Sequence, residues 1–201
     1  MVKRLFDIVA SGCGLLVLSP LFVVLAIWIK LDSKGPVFYR QVRVGRNNKD
    51  FKLFKFRSMR VGADKQGLIT VGGHDPRITS SGYFIRKYKL DEFPQLINVF
   101  IGDMSLVGPR PEVRKYVDMY TPKQLRVLSV RPGITDLASI RYRNENELLE
   151  QAENPDEYYE QVIMQDKLRI NLEYVENHSF WNDIKLIFMT FWEIVAKWVK
   201  M

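Results

Sequence analysis

Residues 5–29 read LFDIVASGCGLLVLSPLFVVLAIWI, an apolar run in which Asp7 is the only charge. As a helix these residues would extend roughly 38 Å, more than the ~30 Å hydrocarbon core of a bilayer. Length alone predicts a spanning helix. Two features oppose it. Lys3 and Arg4 precede the run and Lys30 and Lys34 follow it, so the charge rule that orients a crossing segment gives no direction and suits both ends on one face. Ser19-Pro20 lies near the middle, where proline deletes a backbone hydrogen bond and kinks a helix. The expectation is a re-entrant helix, kinked at Ser19-Pro20, that leaves the membrane on its side of entry. A simple span and a buried core helix remain the alternatives. Cys13 is the only cysteine and reads as a small membrane-embedded side chain.

Outward from this run, the 201 residues carry a formal charge of +7, which calls for an anionic partner: nucleic acid, an acidic membrane or a phosphorylated substrate. One cysteine excludes an internal disulfide framework, and two histidines, His74 and His178, cannot furnish a zinc-type cluster. Val37–Gln41 and Phe51–Lys55 read as strands joined through the turn-rich Gly45–Asn48, a small β-hairpin. Gly62 to Gly82 reads as a loop. Asp91 to Phe100 has helical character, with Asp91 as candidate N-cap and Pro94 in the first turn. Residues 145–177 are acidic and helix-favouring, with a solvated face as the plain interpretation.

At the C-terminus, Trp181, Ile184, Phe188, Phe191, Val195 and Trp198 recur at the spacing of one helix face. Either that face packs on a core, or the helix lies amphipathically in the headgroup zone. The accompanying Lys185, Lys197 and Lys200 favour the second. The expected class is α+β: a helix-rich monotopic membrane protein with interfacial amphipathic helices. Residues 1–34 are expected to form the anchor and 35–201 a domain on the cytoplasmic face.

The densest chemical signal runs from Arg86 to Gln95, RKYKLDEFPQ, and from Gly102 to Pro111, GDMSLVGPRP. Asp91-Glu92 at a helix start can simply serve the helix dipole. Alternatively, two carboxylates beside a phosphate site require a divalent metal and arginines to offset their repulsion. Arg86 and Arg110 offer planar donor forks for phosphate oxygens, and Pro109 and Pro111 stiffen the backbone that aims Arg110.

The ordered series Ser19-Pro20, Gly35-Pro36-Val37-Phe38, Lys55–Met59, Asp75–Thr79, Leu90–Leu96, Met104–Pro111 and Arg131–Thr135 resembles the small monotopic phosphoglycosyl transferases, a bacterial sugar transferase family. The match covers nearly the whole chain. The resemblance implies that Asp91 is a nucleophile attacking the sugar-bearing phosphate of a UDP-sugar, releasing UMP. It implies that Glu92, with Asp91, holds Mg2+, and that Lys55, Arg86, Arg110 and Arg143 line the phosphate site. A polyprenyl (undecaprenyl) phosphate then takes the phospho-sugar at the inner, cytoplasmic membrane face, as the first membrane step of glycan assembly. Where many relatives continue after Thr135 as Gly-Trp-Ala-Gln, this chain has Asp136-Leu137-Ala138-Ser139, so sugar preference does not transfer. Asn171 stands where relatives often have aspartate. The extra multi-helix N-terminal segment of larger relatives is lacking, which reads as a minimal version. A homodimer is left open.

Two other functions compete. A non-catalytic membrane or nucleic-acid binder would need dispersed cations and stacking aromatics; here the aromatics cluster in apolar segments, so no nucleic-acid partner is expected. A lipid-phosphate or pyrophosphate hydrolase could use the same carboxylates, with water as acceptor.

Overall fold

A computed structural model describes residues 2–67 and 75–199, and their side chains except those of residues 65, 66 and 193–199. The apolar run forms one helix, α1 (Val2–Asp32), which stays helical through Pro20. Proline has no N–H for the carbonyl four residues back, that of Leu16. The Ser19 hydroxyl donates to this same carbonyl at 2.8 Å, which explains why the pair is tolerated inside a helix.

Both ends of α1 are tied down. At its start, Arg4 donates to the carbonyls of Val99 (2.6 Å) and Phe100 (2.9 Å). Asp7, buried, accepts from Ser105 Oγ at 2.8 Å and Leu106 N at 3.0 Å. The lone charge of the apolar run is thus a fastening to the rest of the chain. At the far end, Asp32 accepts from Ser81 N and Oγ. Arg57 donates to the carbonyls of Ile29, Ser33, Lys34 and Pro36. A helix C-terminus leaves carbonyls unpaired and favours a cation, so Arg57 serves as the cap.

The hairpin forms as expected and longer: β1 (Phe38–Val44) pairs antiparallel with β2 (Asp50–Phe56), Phe38 opposite Phe56 and Val44 opposite Asp50. Asn47 and Asn48 in the turn take positive φ, a conformation asparagine tolerates. The expected Gly62–Gly82 loop gives way before its end: Met59 bridges Ile78, and α2 (Ser80–Lys87) begins on the Thr79 cap. Residues 68–74 of that loop, with His74, lie outside the described residues.

The helix expected from Asp91 begins later. Leu90–Glu92 is a 3-10 turn, and α3 (Gln95–Ile101) follows Pro94. Asp91 is therefore no N-cap; Pro94 cannot donate, so bonding restarts after it. Next come β3 (Ser105–Val107), α4 (Arg114–Val117) and β4 (Gly133–Thr135). β3 and β4 pair in parallel, Ser105 opposite Gly133 and Val107 opposite Thr135, a pairing the sequence did not announce. A Cβ on Gly133 would lie 2.1 Å from Gly108 N, and one on Gly108 would lie 2.4 Å from Arg131 O. Only glycine permits this crossing.

The remaining helices are α5 (Leu137–Arg141), α6 (Glu145–Glu150), α7 (Pro155–Tyr158), α8 (Met164–Asn177) and α9 (Phe180–Val199), with a π turn over Tyr159–Ile163. The acidic segment is more than a solvated face. Leu149, Tyr159, Ile163, Met164 and Leu168 pack with Val113, Tyr116 and Val127 into a core. A second core joins Leu25 and Ile29 of α1 to Phe56, Ile85 and Leu90. A third holds Leu53, Val99 and Met104.

Large apolar side chains remain uncovered. On α1 they include Leu5, Val9, Leu16, Val17, Val24, Ile27 and Leu31; on α9 they include Trp181, Phe188, Phe191 and Trp192. Of the α9 stripe, Trp181, Phe188 and Phe191 are exposed and Ile184 is half-buried, and the side chains of Val195 and Trp198 lie outside the described residues. Asp183 and Leu186 face inward instead. Asp183 accepts from Tyr174 Oη at 2.6 Å and pairs with Lys3 of α1.

Candidate active site

The site is built where β2, the Leu90–Glu92 turn and the loop after β3 meet. Lys55 Nζ reaches Glu92 Oε1 at 3.3 Å, and Arg110 pairs with the same oxygen. Arg110 stands between Pro109 and Pro111, and Asp136 accepts its backbone N–H at 2.7 Å. Arg86, half-buried on the last turn of α2, bears electrostatically on Asp91. Lys55, Arg86, Asp91, Glu92 and Arg110 are therefore brought together. Arg143 is exposed on the turn after α5, beyond the helix that Asp136 starts. Ser19 and Pro20 lie in the middle of α1, on its exposed side.

The two acids are electrostatically unlike. Burial would raise Glu92, but Arg110 and Lys55 outweigh it and hold the carboxyl far below its ordinary value. Asp91 is raised, first by burial and then by the charge of Glu92, against the pull of Lys55, Arg86 and Lys89. Lys55 is lowered, chiefly by burial. Lys55 and Arg110 thus pair directly with Glu92, while Asp91 Oδ1 is buried without a hydrogen-bond partner among the described residues. An unpaired buried carboxylate oxygen is costly, so it marks where a ligand atom belongs.

Sequence reasoning missed three members. Gln95 is buried, and its Nε2 has no partner among the described residues. Asn98 accepts from Phe54 N and donates to Lys52 O, both at 2.9 Å, which locks α3 against β2. Gln95 and Asn98 stand three residues apart on one face of α3, and that spacing was the available signal. The third is Asp136, fully buried, which accepts from Arg110 N and also caps α5 through Ser139 N. Its signal was an aspartate opening a short helix.

The residues suit a magnesium ion. Mg2+ is usually held by one or two carboxylates, with substrate phosphates and water completing its shell. Asp91, with its unpartnered oxygen, and Glu92 beside it furnish such a pair. No group of three or more His, Cys, Asp or Glu ligands gathers among the described residues, so a metal caged by protein alone does not fit.

The family model described as bacterial sugar transferase matches residues 1–197. A UDP-glucose:undecaprenyl-phosphate glucose-1-phosphate transferase of Klebsiella pneumoniae is 40% identical over 192 residues, covering 94% of this chain and 39% of the relative. A UDP-N-acetylgalactosamine-undecaprenyl-phosphate N-acetylgalactosaminephosphotransferase of Aeromonas hydrophila is 37% identical, with 94% and 42% covered. The uncharacterized sugar transferase EpsL of Bacillus subtilis is also 37% identical, with 94% and 85% covered. The chain thus spans about two fifths of the length of the first two relatives and most of the third. With residues 1–197 matched by one model, the chain belongs to the bacterial sugar transferase family.

Proposed function

We propose that this chain is a phosphoglycosyl transferase that moves a sugar 1-phosphate from a UDP-sugar to a polyprenyl phosphate through Asp91. The single observation that carries the reading is the buried, unpartnered Asp91 Oδ1 beside an acid whose charge is already met by Lys55 and Arg110. In the first step an Asp91 oxygen bonds to the sugar-bearing phosphorus, the P–O bond to the bridging oxygen breaks, and UMP leaves with that electron pair. Lys55, Arg86 and Arg110 hold the phosphate oxygens and offset the developing charge. The Gln95 amide donates to a non-bridging oxygen, which gives its unpartnered N–H groups a role. In the second step an oxygen of the acceptor phosphate bonds to the same phosphorus, and the Asp91 carboxylate leaves. A magnesium ion held by Asp91 and Glu92 supplies further charge neutralisation at the donor's pyrophosphate.

Both ends of α1 are fastened to residues of the same body, Asp7 to Ser105 and Asp32 to Ser81, while one side of the helix between them, including Leu16, Val17, Val24 and Ile27, is uncovered. That supports an anchor entering and leaving the inner membrane on its cytoplasmic face, with the site at the level of the acceptor's phosphate. The relatives' names differ in the sugar, glucose in one and N-acetylgalactosamine in another, so the sugar stays open here. The test is a panel of UDP-sugars assayed for UMP release, with the intact protein weighed for a phospho-sugar adduct. One sugar should give both, and the adduct should discharge when polyprenyl phosphate is added. Release without an adduct, or discharge to water alone at equal speed, would refute the reading and favour a hydrolase.

A further inference from the structure

Aromatic side chains form a ladder between α1 and the Leu90–Glu92 turn. Trp28 of α1 lies 5.2 Å from Phe84 of α2, centroid to centroid, and Phe84 lies 4.6 Å from Tyr88. The Lys87 ammonium sits 5.5 Å over the Tyr88 ring. Trp28 and Phe84 are 38% and 43% exposed, and Val24, Ile27 and Leu31 of the same part of α1 are exposed with them. One end of the ladder therefore opens on the uncovered apolar side of the anchor. Its other end is Tyr88, and the next residue is Lys89.

Lys89 is exposed and has φ +57°. A lysine in the left-handed region is uncommon, and such strain persists only where the surroundings impose it. Here Leu90 is buried in the α1–α2 core and Asp91 is buried in the site, so the chain must reverse at Lys89. The reversal leaves its ammonium on the surface, with its charge bearing on both Asp91 and Glu92.

We infer that this ladder seats the isoprenoid chain of the acceptor and that Lys89 receives its phosphate. The inference rests on the reaction proposed above and adds where the second substrate enters. A polyprenyl phosphate is a long apolar chain ending in a dianion. It needs an apolar track that opens to lipid and closes on a cation within reach of the phosphorus on Asp91. The ladder has that polarity, apolar at Trp28 and cationic at Lys87 and Lys89. Branched, unsaturated chains pack well on aromatic faces, and a headgroup phosphate is well matched by a lysine acting as a point charge. Of the donor's cations, Lys55 and Arg110 come from β2 and the loop after β3, while Arg86 shares α2 with the ladder, so the two substrates approach Asp91 from different sides and meet at α2.

The test compares Phe84→Ala and Lys89→Gly with the parent chain, purified in detergent micelles so that membrane partitioning plays no part. Glycine takes positive φ freely, so Lys89→Gly removes the ammonium without adding strain. Each variant should raise KM for polyprenyl phosphate about tenfold, a loss equal to one modest contact. In Phe84→Ala, which leaves the charges around Asp91 and Glu92 untouched, the adduct should still form from the UDP-sugar at close to the parent rate. An unchanged acceptor KM in both variants overturns the inference, and weaker binding to anionic phospholipid vesicles would then assign the ladder to anchoring alone. If the parent chain itself never releases UMP, the proposed reaction fails, which is a different result.

Discussion

The carboxylate of Asp136 receives the backbone N–H of Arg110 at 2.7 Å, so a fully buried acid fixes the residue that pairs with Glu92. Its second oxygen caps α5 through Ser139 N. Both oxygens are in use, and asparagine can supply only one acceptor. Asp136→Asn should therefore cost about 1–3 kcal/mol of stability. It should also raise the donor KM more than it lowers kcat, because Arg110 would be less well aimed. Thermal melts and donor saturation curves check both, and an unchanged donor KM would confine Asp136 to capping.

Asp91→Asn should remove turnover, with at least about a thousandfold loss expected for a missing nucleophile. Its fold should survive. The Asp91 carboxyl is raised by burial and by Glu92, so removing its charge relieves an unfavourable interaction, and the melting temperature should hold or rise. Residual transfer of a tenth or more would contradict the nucleophile assignment.

Metal removal separates charge neutralisation by magnesium from that by the arginines. EDTA should stop UMP release from the UDP-sugar, and added Mg2+ should restore it, with little change in melting temperature, since no protein cage is present among the described residues. Undiminished UMP release in EDTA would exclude the ion from the first step.

The course of α1 is open to labelling. With Cys13→Ser as background, single cysteines from Val2→Cys and Lys34→Cys should react with an impermeant maleimide from the same side of sealed vesicles. Pro20→Ala restores an N–H to the Leu16 carbonyl and removes the kink-former. It should shift part of the Val2→Cys labelling to the opposite side, opposed by the Asp7 and Arg4 fastenings. Opposite-side labelling of the two cysteines in the parent would establish a simple span.

Gly133→Ala places a methyl 2.1 Å from Gly108 N, with backbone on both sides of the contact. A loss of more than about 3 kcal/mol is expected, the scale of severe overpacking. Expression and a urea melt suffice to check it, and near-normal stability would mean that the β3–β4 crossing yields.

Much of this was legible in the residues. The hairpin followed from alternating strand formers around Gly45–Asn48, and the apolar run was bound to be one long element. Asp91, Glu92, Arg86 and Arg110 stood out in the densest charged stretches, Arg110 between two prolines, while Lys55 came only from the family resemblance, and the fold gathers all five. The Asp91 cap was misread because Pro94 interrupts the bonding and delays α3. The β3–β4 pair escaped notice because strands of three residues carry no readable alternation.

The one-dimensional chain settled what depends on neighbours along it: the length of the apolar helix, the proline in its middle, the turn residues, and an acid pair next to cations. The division of labour between the two acids needed the third dimension. Glu92 is claimed by Lys55 and Arg110, 37 and 18 residues away in the chain, while Asp91 Oδ1 has no hydrogen-bond partner among the described residues. Likewise Asp7 is the only charge of an apolar run, and only the tertiary structure brings Ser105 and Leu106 to meet it. Charges buried from water must find partners, and partners so distant in the chain are chosen by packing rather than by local pattern.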